Sequence, residues 1–425
     1  MNDLPKIETL VVHAGAHADP TTKARATPIY QTTAYEFDSS EHAANLFALK
    51  EFGNIYTRIM NPTQAVLEER VAALEGGTAA LAVASGHAAQ LIILHTLLEA
   101  GDEFLAAKQL YGGSINQFGD SFKKFGWKVN WADATDPAAM KAAITPKTKA
   151  IHIESLANPG GIIIDIAAIA AIAKEADIPL IVDNTLATPI LCRPIEHGAN
   201  IVVHSATKYL GGHGNSMGGV IVDGGNFDWG NGKYPSLSEP LPSYNGAVLW
   251  DAMGDISFAI ACRVLGLRDL GPCISPMNAF LIQTGIETLA LRMERHVANA
   301  QKVAEYLAGH DKIESVSYAG LPDNPFHDLA KKYLPKGAGA ILTFRLKGGY
   351  DAGVKLVESV ELFSHVANIG DTRSLIIHPA ATTHAQLTEA QREAAGAASG
   401  IIRLSIGIEH VDDIIADLDK HIAAL

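Results

Sequence analysis

Cysteine is scarce in this chain, with three residues, Cys192, Cys262 and Cys273, among 425. They share no metal-ligand spacing and form no disulfide framework. Such thiol usage fits a reducing cytoplasm, the expected location. Long hydrophobic runs are missing as well. No stretch reaches the roughly 18 apolar residues of a membrane-spanning helix, and Met1 to Leu10 contains no apolar signal core. Positive charge is in deficit: 33 Lys and Arg face 46 Asp and Glu, for a net charge of −13. Nucleic acid and anionic membranes are therefore not expected partners, although a local basic pocket is compatible with an acidic surface. There is no internal repeat and no low-complexity tract.

What is present is the composition of a globular enzyme-sized chain, 48% hydrophobic and 19% charged, and longer than one compact core usually holds. Residues 1–65 read as an extended arm with little core of its own, suited to docking on another subunit. Thr27-Pro-Ile-Tyr-Gln-Thr-Thr33 favours extended backbone, because the residue before proline avoids the helical region. Pro62 then opens a helix with one apolar stripe, Val66, Leu67, Val71 and Leu74. Residues 66–275 form a ligand-binding domain, and within it 223–260, rich in Gly, Pro, Ser and Trp, reads as a long loop insertion. Residues 276–425 form a smaller C-terminal α/β domain. It starts with one long helix, Asn278 to Leu307, and has strands at Ile341–Leu346 and Ile401–Ile408, a strand-like stretch at 362–370 and a terminal helix.

Between about 76 and 222 short apolar runs alternate with helices: Ala79–Ala84, Glu103–Ala107, Lys149–Glu154, Ile178–Val182 and Ile201–Val203 are the expected strands. This is the pattern of βαβ units and a mostly parallel sheet, whose ligands bind at the carboxyl ends of the strands. Those ends carry Ser85-Gly86-His87, Tyr111, Glu154 with Asn158, Asp183 with Thr185, and Ser205, Thr207 and Lys208. The last exit continues through Gly211, Gly212, Gly214, Gly218 and Gly219, which lets the chain bend tightly around Lys208. A lone lysine there is equally a solvated surface group. With hydroxyls and an anion site beside it, it suits Schiff-base chemistry.

Asp183 and Lys208 lie on neighbouring strand exits, 25 residues apart. Pyridoxal phosphate needs a lysine for its aldehyde, a carboxylate for its ring nitrogen and donors for its phosphate. Asp183 suits the ring nitrogen, and the Gly86 and His87 amides at a helix start suit the phosphate. Ser205 and Thr207 add hydroxyl donors, and Tyr111 offers a flat face to the ring. Arg403, inside an apolar strand, needs an anionic partner. That partner is either a structural carboxylate or the α-carboxylate of an amino acid.

Ser205-Ala-Thr-Lys208-Tyr-Leu-Gly-Gly-His213 resembles the lysine motif of the pyridoxal-phosphate enzymes of cysteine and methionine metabolism. So do Tyr56-Thr-Arg58, Ser85-Gly86, Tyr111-Gly112, Glu154-Ser-Leu-Ala-Asn158-Pro159, Asp183-Asn-Thr185 and Arg403-Leu-Ser-Ile-Gly-Ile-Glu409, spread over nearly the whole chain. The resemblance implies the type I aminotransferase-like α/β fold and a homotetramer of two active dimers. In such a dimer Tyr56 and Arg58 reach the neighbouring subunit's phosphate. It assigns cofactor contacts to Lys208, Asp183, Tyr111, Ser85, Gly86, His87, Ser205, Thr207, Thr185, Asn158, Tyr56 and Arg58. Catalysis falls to Lys208 and Tyr111, and substrate binding to Arg403, Asn368 and Tyr56; no metal is implied.

Within the family, the 223–260 insertion, Ala290-Leu-Arg-Met-Glu-Arg-His296-Val and Phe363-Ser-His-Val-Ala-Asn368-Ile-Gly-Asp371 resemble the O-acetylhomoserine sulfhydrylases. Gly113 and Asn368 depart from the methionine γ-lyase pattern. His87 replaces the glutamine or methionine of many relatives. The reaction implied is γ-replacement on O-acetyl-L-homoserine with sulfide or methanethiol, in methionine biosynthesis, with Lys208 as proton shuttle. The alternatives are a methionine γ-lyase or a cystathionine γ-synthase-type enzyme, and the sulfur donor extends to a carrier protein's thiocarboxylate. Two unrelated readings are weaker. Ser205-Ala-Thr-Lys208 with Ser243-Tyr-Asn245 imitates penicillin-recognising hydrolases but lacks their Lys-Thr-Gly. His204, His213, His378 and His384 match no helix-borne metal-ligand spacing.

Overall fold

The computed structural model describes residues 5–158, 161–382, 385 and 398–425. Its centre is a seven-stranded sheet. The strands are β1 (Ala79–Val83), β2 (Glu103–Ala107), β3 (Lys128–Ala132) and β4 (Thr148–Glu154). After a small hairpin of β5 (Leu156–Ala157) and β6 (Ile162–Ile163) come β7 (Leu180–Asp183), β8 (Ile201–His204) and β9 (Gly219–Asp223). Their order is β1-β9-β8-β7-β4-β2-β3. All pairings are parallel except those of β9, which runs antiparallel to both neighbours. The strands are buried on both faces, Val182, Val202, Val203, Val220 and Ile221 among them, as expected where helices cover a parallel sheet.

Two helix starts bear on the site. Asn61 caps the helix Pro62–Glu75 by accepting the Thr63 N–H at 2.9 Å, with Pro62 in the first turn. This helix is buried on more than the expected stripe, since Gln64, Glu68, Arg70 and Glu75 are buried with Leu67, Val71 and Leu74. Ser85 caps the helix Gly86–Leu97 through the Ala88 N–H at 3.1 Å. Gly86 is required by space, because a Cβ there would lie 2.9 Å from the Ser205 Cβ.

A second, five-stranded sheet has the order β10-β11-β14-β13-β12. Its strands are β10 (Ile313–Ser317), β11 (Ile341–Leu346), β12 (Ser364–His365), β13 (Leu375–Ile377) and β14 (Ile401–Ser405). Of the stretch 362–370, only Ser364–His365 pairs as a strand. Arg403 stands on β14 between Thr343 and Ile377 of its two neighbours. The terminal helix is Val411–Ala423.

Two expectations are corrected. The single helix over 278–307 is two, Pro276–Glu287 and Leu289–Ala308, broken at Thr288 with φ −106° and ψ 7°. There the Thr288 hydroxyl donates to the Gly285 carbonyl and accepts from Arg292 Nε, so local side-chain bonds compete with the helix ladder. The stretch 223–260 is not a structureless loop. It holds short helices at Pro235–Ser238, Leu249–Met253 and Ser257–Ala261. These close over buried Trp229, Tyr234, Leu237 and Phe258, with Trp229 stacked on Phe258 at 4.8 Å between ring centroids. In the arm, the helix Ile7–His13 buries Val11, while Phe37, Phe47, Phe52 and Tyr56 stay exposed. No helix of the described residues is long and apolar enough to cross a membrane.

Candidate active site

At the carboxyl ends of the central strands lies a cavity of about 200 Å³. Its wall includes Ser85, Gly86 and His87 after β1, Tyr111 after β2, Glu154 at the end of β4 and Asn158 beyond it. Asp183 and Thr185 come from the β7 exit, and Ser205, Thr207 and Lys208 from the β8 exit. Asn368, in the loop between β12 and β13, and Arg403 on β14 close it. The geometry thus brings together all the sequence-derived candidates except Tyr56 and Arg58. Those two lie elsewhere: Tyr56 is 40% exposed, and Arg58 donates to the Arg268 carbonyl while its guanidinium sits 5.4 Å from the Tyr56 ring centre.

Each side chain is held from behind. The Lys208 ammonium donates to Asn368 Oδ1 at 2.5 Å. Burial, and secondarily the Arg403 guanidinium, pull the Lys208 pKa down to about 8. Arg403 donates to Asn158 Oδ1 at 3.3 Å and to the Asn368 carbonyl at 3.1 Å. Its buried Nε has no hydrogen-bond partner among the described residues, and burial lowers its pKa to about 10. Asp183 accepts the Thr185 N–H at 2.9 Å. Across the parallel pair from it stands Glu154, which accepts the Tyr111 N–H at 2.6 Å and the Asn158 N–H at 3.2 Å. Burial raises both carboxyl pKa values, and Asp183 raises that of Glu154 further. Two carboxyls side by side, one buried and one half-buried, resist carrying two charges.

Behind this wall is a second layer. Asn184, next to Asp183, donates to Glu75 Oε1 at 2.8 Å and accepts from Ser155 Oγ at 2.8 Å. The His204 Nε2 lies 2.5 Å from the same Glu75 oxygen, with both side chains fully buried. His204 is therefore a structural histidine. His213 Nδ1 donates to the Gly211 carbonyl at 2.6 Å, and His384 lies outside the described residues. Ser243 and Asn245 line a different cavity from Lys208, which removes the hydrolase reading.

Sequence reasoning left Glu154 without a role and passed over Gln90, Ser114, Leu156, Leu186, Met217, Ala367 and Ile369 of the lining. Gln90 donates to Ser114 Oγ at 3.0 Å, a pairing of separate elements that no local pattern announces. Only Glu154, at a strand exit, carried a readable signal.

The donor set fits pyridoxal phosphate. Ser85 takes the third N–H of its helix, leaving those of Gly86 and His87 for an anion, with no Cβ at Gly86 in the way. Asp183 is a half-buried acceptor for which a cationic ring nitrogen is the fitting partner. Lys208 is an amine whose charge is already disfavoured.

The comparisons agree. A model of the Cys/Met metabolism PLP-dependent enzymes matches residues 8–423. An O-acetyl-L-homoserine sulfhydrylase of Leptospira meyeri is 52% identical, covering 98% of this chain and 96% of its own. O-acetyl-L-homoserine sulfhydrylase 1 of Thermus thermophilus is 50% identical, covering 98% and 100%. A crystal structure from Campylobacter jejuni, described as a candidate O-acetylhomoserine (thiol)-lyase with a pyridoxyl-lysine monophosphate, superposes with a TM-score of 0.95. It is 42% identical and covers 98% of this chain and 99% of that one. The fold, the cavity and the matched length lead to one conclusion: this chain belongs to the pyridoxal-phosphate-dependent enzymes of cysteine and methionine metabolism.

Proposed function

We propose that the protein replaces the acetate of O-acetyl-L-homoserine with sulfide, giving L-homocysteine and acetate in methionine biosynthesis. With methanethiol as nucleophile the product is methionine. The observation that carries the reading is the meeting of Lys208, Asp183 and Arg403 in one cavity of a chain half identical to named sulfhydrylases.

Pyridoxal phosphate, when bound, supplies the electron sink that lets protons leave Cα and Cβ of the amino acid. Lys208 would hold its aldehyde, Asp183 its ring nitrogen, and the helix start at Gly86 and His87 its phosphate. Ser205 and Thr207 would add hydroxyl donors to that phosphate, Thr185 and Asn158 would contact the ring, and Tyr111 would offer it a flat face. Arg403, held by Asn158 and the Asn368 carbonyl, would bind the substrate carboxylate, and Asn368 completes that pocket. Acetate on Cγ is two bonds from the Cα–H, so one deprotonation cannot expel it. Lys208 takes the Cα proton and moves it away, assisted by Tyr111. Loss of a second proton from Cβ then drives acetate out. Sulfide adds at Cγ, and the two protons return. An amine with its pKa near 8 suits this work close to neutral pH.

The active form is a homotetramer of two dimers, in which Tyr56 and Arg58 of one copy reach the site of another. Their absence from the lining of their own cavity and the exposed Phe37, Phe47 and Phe52 of the arm support this. A cytoplasmic setting fits three free cysteines, and a sulfur-carrier protein is a further possible donor.

A product assay with purified protein, pyridoxal phosphate, O-acetylhomoserine and sulfide, beside a sulfide-free control, tests the reading. Homocysteine and acetate formed only with sulfide are the expected result. Ammonia and 2-oxobutyrate formed at equal rates in both would replace it with γ-elimination.

A further inference from the structure

The helix Leu289–Ala308 carries Arg292, His296 and Asn299 at i, i+4 and i+7, one face of the helix. All three are buried, at 5%, 0% and 4% exposure. A buried polar row is costly where its groups go unused; here most donors go to backbone carbonyls, Arg292 Nε goes to the Thr288 hydroxyl, and His296 Nε2 has no partner among the described residues. Arg292 Nη1 donates to the Tyr209 carbonyl at 2.8 Å. Its Nη2 donates to the carbonyls of Leu210 at 3.4 Å and Gly285 at 2.7 Å. Among the described residues it has no carboxylate partner, so its charge is spent on carbonyls of the turn that follows Lys208 and of Gly285. His296 Nδ1 donates to the Ile406 carbonyl at 2.6 Å, and its ring meets that of Tyr209 edge-on at 5.3 Å. Asn299 Nδ2 donates to the carbonyls of Gly407 at 3.0 Å and Glu409 at 2.9 Å. Those carbonyls belong to the segment leaving the Arg403 strand.

The packing around the lysine turn leaves it little freedom. A Cβ at Gly212 would sit 2.2 Å from Arg292 Nη1, one at Gly285 2.1 Å from the Gly211 carbonyl oxygen, and one at Gly370 2.7 Å from the Tyr209 nitrogen. The Lys208 main chain is thus gripped from three directions, and Arg292 is the polar member of the grip.

We propose that Arg292, His296 and Asn299 are positioning residues that hold the Lys208 turn and the Arg403 strand exit in one frame. The row touches neither cofactor nor substrate. Arg292 acts on the lysine side, Asn299 on the arginine side, and His296 bridges them. The inference rests on the roles given above to Lys208 and Arg403. It predicts that the two ends of the row fail differently, because displacing a proton-transfer group by a fraction of an ångström slows turnover, whereas displacing a carboxylate clamp weakens binding.

The test compares cofactor-loaded Arg292→Met, Arg292→Lys and Asn299→Ala with the parent enzyme. It reads kcat and KM for O-acetylhomoserine at saturating sulfide, per bound cofactor. It also reads the pH midpoint of the visible absorption band without substrate. For Arg292→Met the expectation is kcat down by about 30-fold, KM within about 3-fold and a midpoint moved by about half a unit, with Arg292→Lys in between. For Asn299→Ala it is KM up by about 10-fold, with kcat within about 3-fold and the midpoint unmoved. Parent values in Arg292→Lys and Asn299→Ala, or kcat and KM falling together in every variant, would overturn the proposal. Where Arg292→Met does not fold, Arg292→Lys decides alone, since an ammonium lacks the planar fork that spreads donors over the Tyr209, Leu210 and Gly285 carbonyls. The band midpoint needs no substrate. A parent enzyme that makes no homocysteine therefore sinks the γ-replacement reading and leaves the Arg292 readout standing.

Discussion

Lys208 combines two properties that seldom meet in a surface lysine: it is largely buried, and its neighbours are a cation and an amide rather than a carboxylate. Both keep the amine from holding its proton, which brings its pKa to about 8 from the ordinary 10.5. The base form is therefore available at a lower pH than in a free lysine and is lost as pH falls below that value. The expected kcat profile has an acid limb centred near pH 8 that drops tenfold per unit below it; a profile flat down to pH 6 would contradict the assignment of Lys208 as the proton carrier. Lys208→Ala should abolish both turnover and the visible absorption of the loaded enzyme. Full activity in that variant would remove the lysine from the chemistry.

At the scale of elements, the site depends on how closely the helix Gly86–Leu97 approaches the β8 exit. Gly86 permits that approach, with the Ser205 Cα only 3.1 Å from where its own Cβ would stand. Gly86→Ala pushes the helix start, and with it the anion-binding N–H groups, away from Ser205. Cofactor retention should weaken by about tenfold or more while the melting temperature changes by only a few degrees. Equilibrium dialysis of the cofactor together with a thermal melt separates the two effects. Unchanged retention would mean that the phosphate sits elsewhere.

For the whole molecule, the separation of Tyr56 and Arg58 from their own cavity makes a test of assembly possible. Lys208→Ala and Arg58→Ala should each be inactive alone. Mixed and refolded together, they should recover roughly a quarter of parent activity, because half the dimers are hybrids and one site in each hybrid is intact. No recovery would mean that each chain builds its site unaided. Stability has its own whole-molecule signal. Burial, with neither ring nitrogen hydrogen-bonded among the described residues, pulls His152 down to about 3, and burial pulls His296 down to about 4. Folded values below the unfolded one mean that the unfolded chain binds protons first as pH falls below about 6.5, so stability drops there by roughly 1.4 kcal/mol per unit for each group. His152 meets the Phe118 ring edge-on at 5.0 Å, a setting that accepts another aromatic ring. His152→Phe should lose less stability between pH 7 and pH 5 than the parent does. Urea midpoints at the two values measure this, and equal losses would refute it.

The amino-acid sequence by itself determined the alternation of strands and helices, the exits that carry Ser85, Tyr111, Asp183 and Lys208, and the helix starts after Ser85 and at Pro62. These follow from patterns a few residues long, in which neighbours along the chain are also neighbours in space. Tertiary structure decided the rest. It compacted 223–260 around Trp229, whose partner Phe258 is distant along the chain. It paired Glu154 with Asp183 across two strands and kept Tyr56 and Arg58 out of their own cavity. It also turned Arg292, His296 and Asn299 toward backbone carbonyls, and a carbonyl is the same at every position, so no residue type announces which one a buried side chain will find.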